Sequence, residues 1–309
     1  MKEYKKRILF IGIPDMAFIC LDACLSVGVN IVGVMGPKPD HHMYNIFKKF
    51  VEDRKLNFIP YTDLHSEQLL NTIKDLDVDL AAVSSFNYKI PKKLLNATKD
   101  GFINLHPSLL PLYRGANPYS RTIINGELKT GVTLHFMDEE FDKGDIILQY
   151  PCEIAHDETM GTLFNKTNDI CVKLLLATLK EYEERPLPRI KQKDGEYPIA
   201  NNIGDAETHI NYNNSAVNIE RLVRGLNPFI VAKTYFRGVH IRVLKVEVVK
   251  GSYPESKYGE IVDIVDDKII IKTVENCISL ELMQFGSYFY GTSKDFIRFI
   301  EPKIGEVFL

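Results

Sequence analysis

The first hundred residues alternate short apolar runs with segments whose apolar residues recur at helical spacing. Residues 7–11 form a run typical of a buried strand, residues 18–27 have the spacing of a helix, and residues 29–35 form the next run. A strand, a helix and a strand in this order predict a parallel sheet with a right-handed crossover. Another apolar run at residues 80–84 continues the alternation. We therefore expect an α/β fold with a doubly wound, Rossmann-like parallel sheet.

The pattern changes after residue 184. Residues 184–204 are rich in proline, glycine and charge, which is typical of a domain boundary. Most of the chain beyond residue 231 consists of short β runs, such as residues 239–249 with their period-two alternation. Short strands at close spacing predict a smaller C-terminal β-barrel of the OB-like type. The expected division is a first domain at 1–190, a linker at 191–204 and a barrel at 205–309.

The composition excludes several classes of protein. The 309 residues carry a formal net charge of −3, which does not favour a generally nucleic-acid-binding surface. Five irregularly spaced cysteines match neither a disulfide framework nor a zinc pattern. No apolar run approaches the ~20 residues of a membrane span, and the N-terminal segment does not read as a secretory signal. The expected location is cytoplasmic, with no membrane partner.

Two strand ends bring together residue types that suit acyl chemistry. The run ending at His106 is followed by a proline, which cannot continue a central strand, and Asn104 lies two residues earlier on the same face. A second run, residues 131–137, leads into an acidic loop that contains Asp142 and Asp145. An imidazole can transfer protons at neutral pH, an amide can donate to an oxyanion, and a carboxylate can orient the ring. No serine or cysteine elbow is evident, so attack by a substrate amine or by water is favoured.

These residues also form blocks that resemble a known family. Residues 104–111, 114–115, 131–133 and 142–145 resemble, in order and spacing, the signature of the 10-formyltetrahydrofolate-dependent formyltransferases. Residues 221–228 look like the opening of the C-terminal domain of methionyl-tRNA formyltransferases and their relatives. The resemblance covers most of the chain. It implies a formyltransferase catalytic domain followed by a formyltransferase-type barrel.

The resemblance implies a role for particular residues. Asn104, His106 and Asp145 would form the catalytic triad, and Arg114 and Gly115 would bind the substrate that accepts the formyl group. The co-substrate would be 10-formyltetrahydrofolate, and no metal is implied. The folate would contact residues in three loops: Phe86, Tyr88, Ile90, Ser108, Leu109, Leu110, Pro111, Asp138 and Asp142.

The acceptor is the less determined part of this interpretation. Residues 36–44 replace the long basic insertion of methionyl-tRNA formyltransferases, and Lys38 is their only lysine or arginine. Residues 205–309 contain 13 Lys+Arg and 14 Asp+Glu, a balance of −1 that does not favour tRNA. Residues 106–108 and 114–118 look more like relatives that formylate nucleotide-linked amino sugars. We expect a small amine acceptor, with initiator methionyl-tRNA as the alternative; a formyltetrahydrofolate hydrolase or an inactive folate-binding module would be a different class.

Overall fold

The computed structural model describes residues 4–14 and 16–309. These residues form two compact units, each made of discontinuous stretches of chain rather than the continuous ranges expected. Residues 191–200, expected in the linker, are part of the first unit. Unit one contains the residues up to Pro118, Lys129–Glu153 and Asn165–Ala200, and unit two contains Tyr119–Leu128, Ile154–Phe164 and Asn201–Leu309.

A six-stranded sheet forms the centre of the first unit. Its strands are β1 (Ile8–Gly12), β2 (Ile31–Met35), β3 (Leu80–Ser84), β4 (Phe102–His106), β6 (Lys129–Phe136) and β7 (Ile146–Glu153), and the order across the sheet is β2-β1-β3-β4-β6-β7. A separate two-stranded ladder pairs β5 (Arg114–Gly115) with β8 (Ile199–Ala200). The expected α/β class is confirmed. The sheet is parallel over its first four strands only, because β6 runs antiparallel to both β4 and β7.

Helices cover both faces of this sheet, because its central strands β1 and β3 are buried at every position. Ile8 and Phe10 of β1 face one core and Leu9 and Ile11 face the other. The first core is completed by α1 (Met16–Ser26), α2 (Tyr44–Asp53) and the later part of α6 (Met160–Tyr182), and the second by α3 (Glu67–Asp75) and α4 (Lys92–Leu95). In the part of the chain described, no helix has both the length and the apolar character needed to cross a membrane.

The second unit is a small antiparallel barrel with its own core. The unit includes most of α5 (Pro118–Ile124), a 3-10 turn (Asp205–Thr208), α7 (Ala216–Leu226) and α8 (Ser293–Ile300). Its strands are β9 (Ala232–Phe236), β10 (Val239–Val249), β11 (Ile261–Val265), β12 (Lys268–Lys272), β13 (Cys277–Phe285) and β14 (Phe289–Thr292). The order is β11-β12-β13-β10-β9, and β14 pairs with β13. The C-terminal residues bridge both ends of the sheet, Phe308 to Phe236 and Val307 to Glu260, which closes the barrel.

Candidate active site

The site is built on one face of β4 and β6. The antiparallel register places Asn104 opposite His135 and His106 opposite Thr133. Because side chains alternate along a strand, these four polar residues share a face while their apolar neighbours enter the core on the other side. Asn104 and His106 are therefore brought together as the sequence predicted.

The His106 ring is held from both sides and is only 4% exposed. Its Nε2 lies 2.8 Å from the carbonyl oxygen of Tyr113, so this nitrogen donates a hydrogen bond. Its Nδ1 lies 3.5 Å from Oδ1 of Asp142. Burial lowers the pKa of His106 below its ordinary value, although the Asp142 carboxylate opposes that shift. The ring is consequently neutral at pH 7 and has a carboxylate ready to stabilise its charged form.

Asp142 is the carboxylate of this site. Its side chain is 11% exposed, and its Oδ2 accepts the backbone N–H of Gly115 at 2.9 Å. Oδ1 lies 3.6 Å from Nε2 of His135 as well as facing His106. Burial by itself would raise the pKa of the Asp142 carboxyl, but the neighbouring His135 ring, the charge of the His106 ring and the N–H of Gly115 together lower it to about 2. Asp142 is therefore ionised at neutral pH.

Asp145 does not occupy the position expected for the third catalytic residue. Its Oδ2 lies 3.9 Å from Nη1 of Arg189, whose guanidinium stacks on the Phe136 ring at 3.5 Å. The carbonyl of Asp145 accepts the N–H of Phe136 at 2.8 Å, so this residue already belongs to the β6–β7 hairpin. The intervening Gly144 packs directly on the Phe136 carbonyl, where a Cβ would come within 1.9 Å of the oxygen. The structure therefore places the side chain of Asp142, three residues earlier in the loop, beside His106, and it places the side chain of Asp145 beside Arg189 instead.

His135 is a site residue that the sequence analysis missed. It is 1% exposed, and its Nδ1 donates to the carbonyl of Phe136 at 2.7 Å. With that proton on Nδ1, its Nε2 can accept from Nδ2 of Asn104, 3.3 Å away. The period-two alternation of residues 131–137 was the available signal, because it places Thr133 and His135 on the polar face.

Gln192 is a second missed residue, and it comes from the stretch expected to be a linker. Its Nε2 donates to the carbonyl oxygens of Asp142 at 2.7 Å and of Gly144 at 2.9 Å. Its Oε1 accepts from Nε and Nη2 of Arg114 at 3.1 and 2.6 Å. Nothing in the local sequence marks this glutamine, since its partners lie about 50 and 78 residues away. Arg114 and Gly115, expected to bind substrate, thus also contact the loop of Asp142.

The first group of expected folate-binding residues follows β3. The Phe86 ring lies 5.2 Å from Tyr88 and 6.5 Å from Tyr61, which makes a cluster of three aromatic rings beside the sheet. The side chain of Ile90 is 3% exposed and packs in the second core of the unit. Only the backbone of Ile90 is therefore available to a ligand.

The second group, residues 108–111, is a turn pinned to β6. The Thr133 hydroxyl donates to the carbonyl of Ser108 at 2.6 Å and accepts the N–H of Leu110 at 3.1 Å. The Ser108 hydroxyl donates to the carbonyl of Leu112 at 2.6 Å, and the Leu110 side chain is buried. These hydrogen bonds hold the turn, which also contains the half-buried Leu109 and Pro111, against β6 and directly after His106 in the chain.

The remaining expected contact, Asp138, opens the acidic loop. Its Oδ1 accepts the N–H of Glu140 at 2.8 Å, an interaction that caps the local turn. Among the described residues no group of three or more histidine, cysteine, aspartate or glutamate side chains is arranged to hold a metal ion.

The chain is similar over most of its length to proteins of one family. Residues 6–179 match the formyl transferase family and residues 202–298 match the formyl transferase C-terminal domain. The methionyl-tRNA formyltransferase of Alkaliphilus oremlandii is 34% identical over 286 residues, which cover 90% of this chain and 92% of that protein. The enzyme of the same name from Clostridioides difficile is 34% identical over 292 residues, with 90% and 92% covered.

Solved structures with similar folds have lower sequence identity. The N-formyltransferase of Helicobacter canadensis, in complex with folinic acid and dTDP-3-aminofucose, superposes with a TM-score of 0.69 at 17% identity, covering 89% of this chain and 98% of that one. WlaRD, a sugar 3N-formyl transferase, superposes with a TM-score of 0.66 at 18% identity, covering 93% and 100%. At these identities the structural comparison supports the fold.

Proposed function

This chain belongs to the formyl transferase family, and we propose that it transfers the formyl group of 10-formyltetrahydrofolate to the α-amine of initiator methionyl-tRNA. The choice of methionyl-tRNA as the acceptor is supported by the 34% identity with methionyl-tRNA formyltransferases, which extends over 90% of the chain and includes the barrel. The sugar-modifying enzymes are similar in fold at 17–18% identity. Initiator methionyl-tRNA, the alternative considered from the sequence, is therefore a better-supported acceptor than the small amine that the sequence favoured.

Asn104 is proposed to stabilise the negative charge that develops on the formyl oxygen. The formyl donor supplies an electrophilic carbon, and attack by the amine moves charge onto the oxygen of that group. The Asn104 amide has two N–H bonds, of which one is directed at Nε2 of His135, 3.3 Å away. The second N–H can then donate to the oxyanion without further reorganisation.

The pair of His106 and Asp142 is proposed to take the proton that the amine loses. His106 is neutral because burial lowers its pKa, and its Nε2–H is committed to the Tyr113 carbonyl. A proton received at Nδ1 would lie against Oδ1 of Asp142, 3.5 Å away. The ionised carboxylate stabilises the imidazolium, which can return the proton to N10 of tetrahydrofolate as it leaves.

The residues near the site fit a folate in chemical character. A pterin is flat and heteroaromatic, and the half-buried rings of Phe86 and Tyr88, which lie next to the buried Tyr61, provide an aromatic surface after β3. The backbone of the Asp138–Asp142 loop offers hydrogen-bonding groups next to the catalytic carboxylate. These features support the proposed donor through the loops that the sequence analysis singled out.

A basic row on the barrel supports a nucleic-acid acceptor. Neighbouring strands place Lys233 opposite Arg242, Arg242 opposite Gln284, and Gln284 opposite Tyr290. These side chains alternate with buried residues and so point outward from the barrel core. Lys233 is also paired with Asp205, so the two cations of the row and this carboxylate sum to +1, against a balance of −1 over residues 205–309. Such a row suits a phosphate backbone better than a single small amine.

Aromatic rings accompany these cations. Tyr235 lies opposite His240 on the adjacent strand, with ring centres 5.4 Å apart, and stacks on His209 at 5.8 Å. Burial, and to a lesser extent the nearby Lys233, His209 and Arg242, lower the pKa of His240, while Asp205 opposes that shift. Basic groups interleaved with aromatic rings are typical of surfaces that bind nucleic acid.

The test is a panel assay of formyl transfer from 10-formyltetrahydrofolate. The acceptors are charged initiator methionyl-tRNA, uncharged initiator tRNA, several nucleotide-linked amino sugars, and buffer alone. We expect formyl-methionyl-tRNA as the preferred product. Preferential formylation of an amino sugar would contradict the proposal that methionyl-tRNA is the acceptor. Formate release in buffer alone would indicate a hydrolase. The absence of turnover in every reaction would contradict the proposal that the chain is an active enzyme.

A further inference from the structure

We propose that Gln192 is a positioning residue that fixes the loop bearing Asp142 and joins it to Arg114. This inference rests on the proposed formyl-transfer function, because Asp142 matters to catalysis only within it. Gln192 lies outside the blocks that suggested the family, in a stretch whose composition indicated a linker. Its side chain touches no proposed substrate, so it would act through other residues.

The hydrogen bonds of Gln192 use both ends of its amide. The NH₂ group donates to the carbonyls of Asp142 and Gly144 at 2.7 and 2.9 Å, and the carbonyl accepts two bonds from Arg114 at 3.1 and 2.6 Å. An amide is the side chain that can donate to two carbonyls while accepting from a guanidinium. A lysine at this position would repel Arg114, and a carboxylate would repel the two carbonyl oxygens.

The loop that Gln192 holds has a conformation that needs external support. Asp142 has a φ of +57°, in the left-handed region that a non-glycine residue occupies only when its surroundings hold it there. Two carbonyls of the loop point toward one side chain, which fixes the direction in which the Asp142 carboxylate leaves the backbone. Loss of these two bonds would let the carboxylate move away from His106 without disturbing the sheet.

The segment around Gln192 also fixes the opposite wall of the site. Its strand β8 pairs with β5, and the Tyr113 N–H donates to the carbonyl of Pro198 at 2.7 Å. Tyr113 in turn accepts from His106, and Gly115 donates to Asp142. One stretch of chain therefore sets the positions of the groups on both sides of the His106–Asp142 contact.

Three variants of the full chain test this inference. Gln192→Met keeps the size of the side chain and removes all four hydrogen bonds. Gln192→Glu keeps an acceptor for Arg114 and removes both donors to the loop. Lys193→Met is the matched control, because it changes the exposed neighbouring residue. Thermal unfolding is measured first for each variant.

We expect both Gln192 variants to lower kcat about tenfold or more, with a smaller change in the KM for methionyl-tRNA, and the control to match wild type. NMR titration of the histidine rings gives a readout independent of turnover. The pKa of His106 should fall in Gln192→Met, because Asp142 would no longer raise it as strongly. The His106 signal is assigned with a His106→Asn variant, and the control should leave its pKa unchanged.

Two results would overturn the inference. Near-wild-type kcat in Gln192→Glu would show that the Arg114 contact alone matters, and an unchanged His106 pKa in a folded Gln192→Met would show that the loop holds Asp142 without help. If Gln192→Met does not fold, both kcat and the pKa of His106 are measured with Gln192→Glu. Failure of the proposed function can be distinguished from failure of this inference. If the proposed function is wrong, the wild-type chain shows no formyl transfer, whereas the pKa of His106 still reports whether Gln192 holds Asp142 in place.

Discussion

One carboxylate lies against two imidazoles in this site. Oδ1 of Asp142 is 3.5 Å from His106 and 3.6 Å from His135, and both rings are nearly inaccessible to solvent. A charge in such surroundings interacts more strongly with its neighbours than it would at the surface. The chemistry proposed for His106 therefore depends on this aspartate, while Asp145 in the same acidic loop pairs with Arg189.

The first prediction separates these two aspartates. Asp142→Asn should lower kcat/KM about a hundredfold or more, because the imidazolium of His106 loses its counter-charge. Asp145→Asn should stay within about fivefold of wild type, since an exposed ion pair contributes ~1 kcal/mol or less. Steady-state formyl transfer by the two variants, with circular dichroism to verify folding, is the measurement. A larger loss in Asp145→Asn would restore the original assignment.

The second prediction concerns pH. The pKa of His106 lies below its usual 6.5 in the folded protein, and the proposed proton acceptor is the neutral ring. Activity should therefore be retained at pH 7 and should fall as pH decreases through that lowered pKa, at a value below 6.5. A pH profile of kcat/KM for the wild-type chain measures it. A rate that increases on acidification in this range would indicate that the reaction needs protonated His106 at the start.

At the scale of elements, the β6–β7 hairpin determines which loop residue reaches the site. Pairing of Phe136 with Asp145 closes the hairpin beyond Gly144 and leaves residues 138–143 free to cross the face of the sheet. The close packing of Gly144 on the Phe136 carbonyl makes this closure possible. The hairpin thus aligns Asp142, and not Asp145, with the end of β4.

The third prediction tests that closure. Gly144→Ala should lower the free energy of unfolding by about 2 kcal/mol, because its Cβ would meet a backbone oxygen that cannot move aside. Formyl transfer should fall with it, since the loop carrying Asp142 must shift. Gly28→Ala is the control: its φ of +83° costs an alanine about 1 kcal/mol, but no atom lies within 4 Å of the new Cβ. Urea unfolding and activity are measured for both, and loss of activity in the control would contradict the explanation.

At the scale of the whole molecule, the positions of the charges on the barrel are more informative about a nucleic-acid partner than the net charge of the barrel. Several cations in this unit are paired locally, as in Arg237–Glu306, Lys294–Asp267 and Lys233–Asp205. The outward row of Lys233 and Arg242 lies beside neutral and aromatic groups of the neighbouring strands, although Lys233 also contacts Asp205. A sum over residues 205–309 cannot distinguish a grouped arrangement of charge from a dispersed one.

The fourth prediction follows from that arrangement. The double variant Lys233→Glu/Arg242→Glu should raise the KM for methionyl-tRNA by roughly tenfold or more and weaken its dependence on salt, because two phosphate contacts would be lost. Activity with a small amine at high concentration should be unchanged. Lys74→Glu, an exposed lysine on α3 of the first unit, is the control for a change of charge. An unchanged KM and salt dependence would show that Lys233 and Arg242 do not bind tRNA.

The sequence by itself determined most of the elements and predicted that Asn104 and His106 lie on one face at the end of a strand. Alternation of apolar runs and helical segments depends on near neighbours, so it identified the α/β unit, the barrel, and the strand that ends at His106 with Asn104 on the same face. Only the tertiary structure decided the antiparallel direction of β6, the choice of Asp142 over Asp145, and the contacts of His135 and Gln192. The physical reason is that a loop's path is set by groups distant in sequence: the Phe136 carbonyl, the Gly115 N–H and the Gln192 amide each act on the loop of Asp142, and no local spacing encodes their positions.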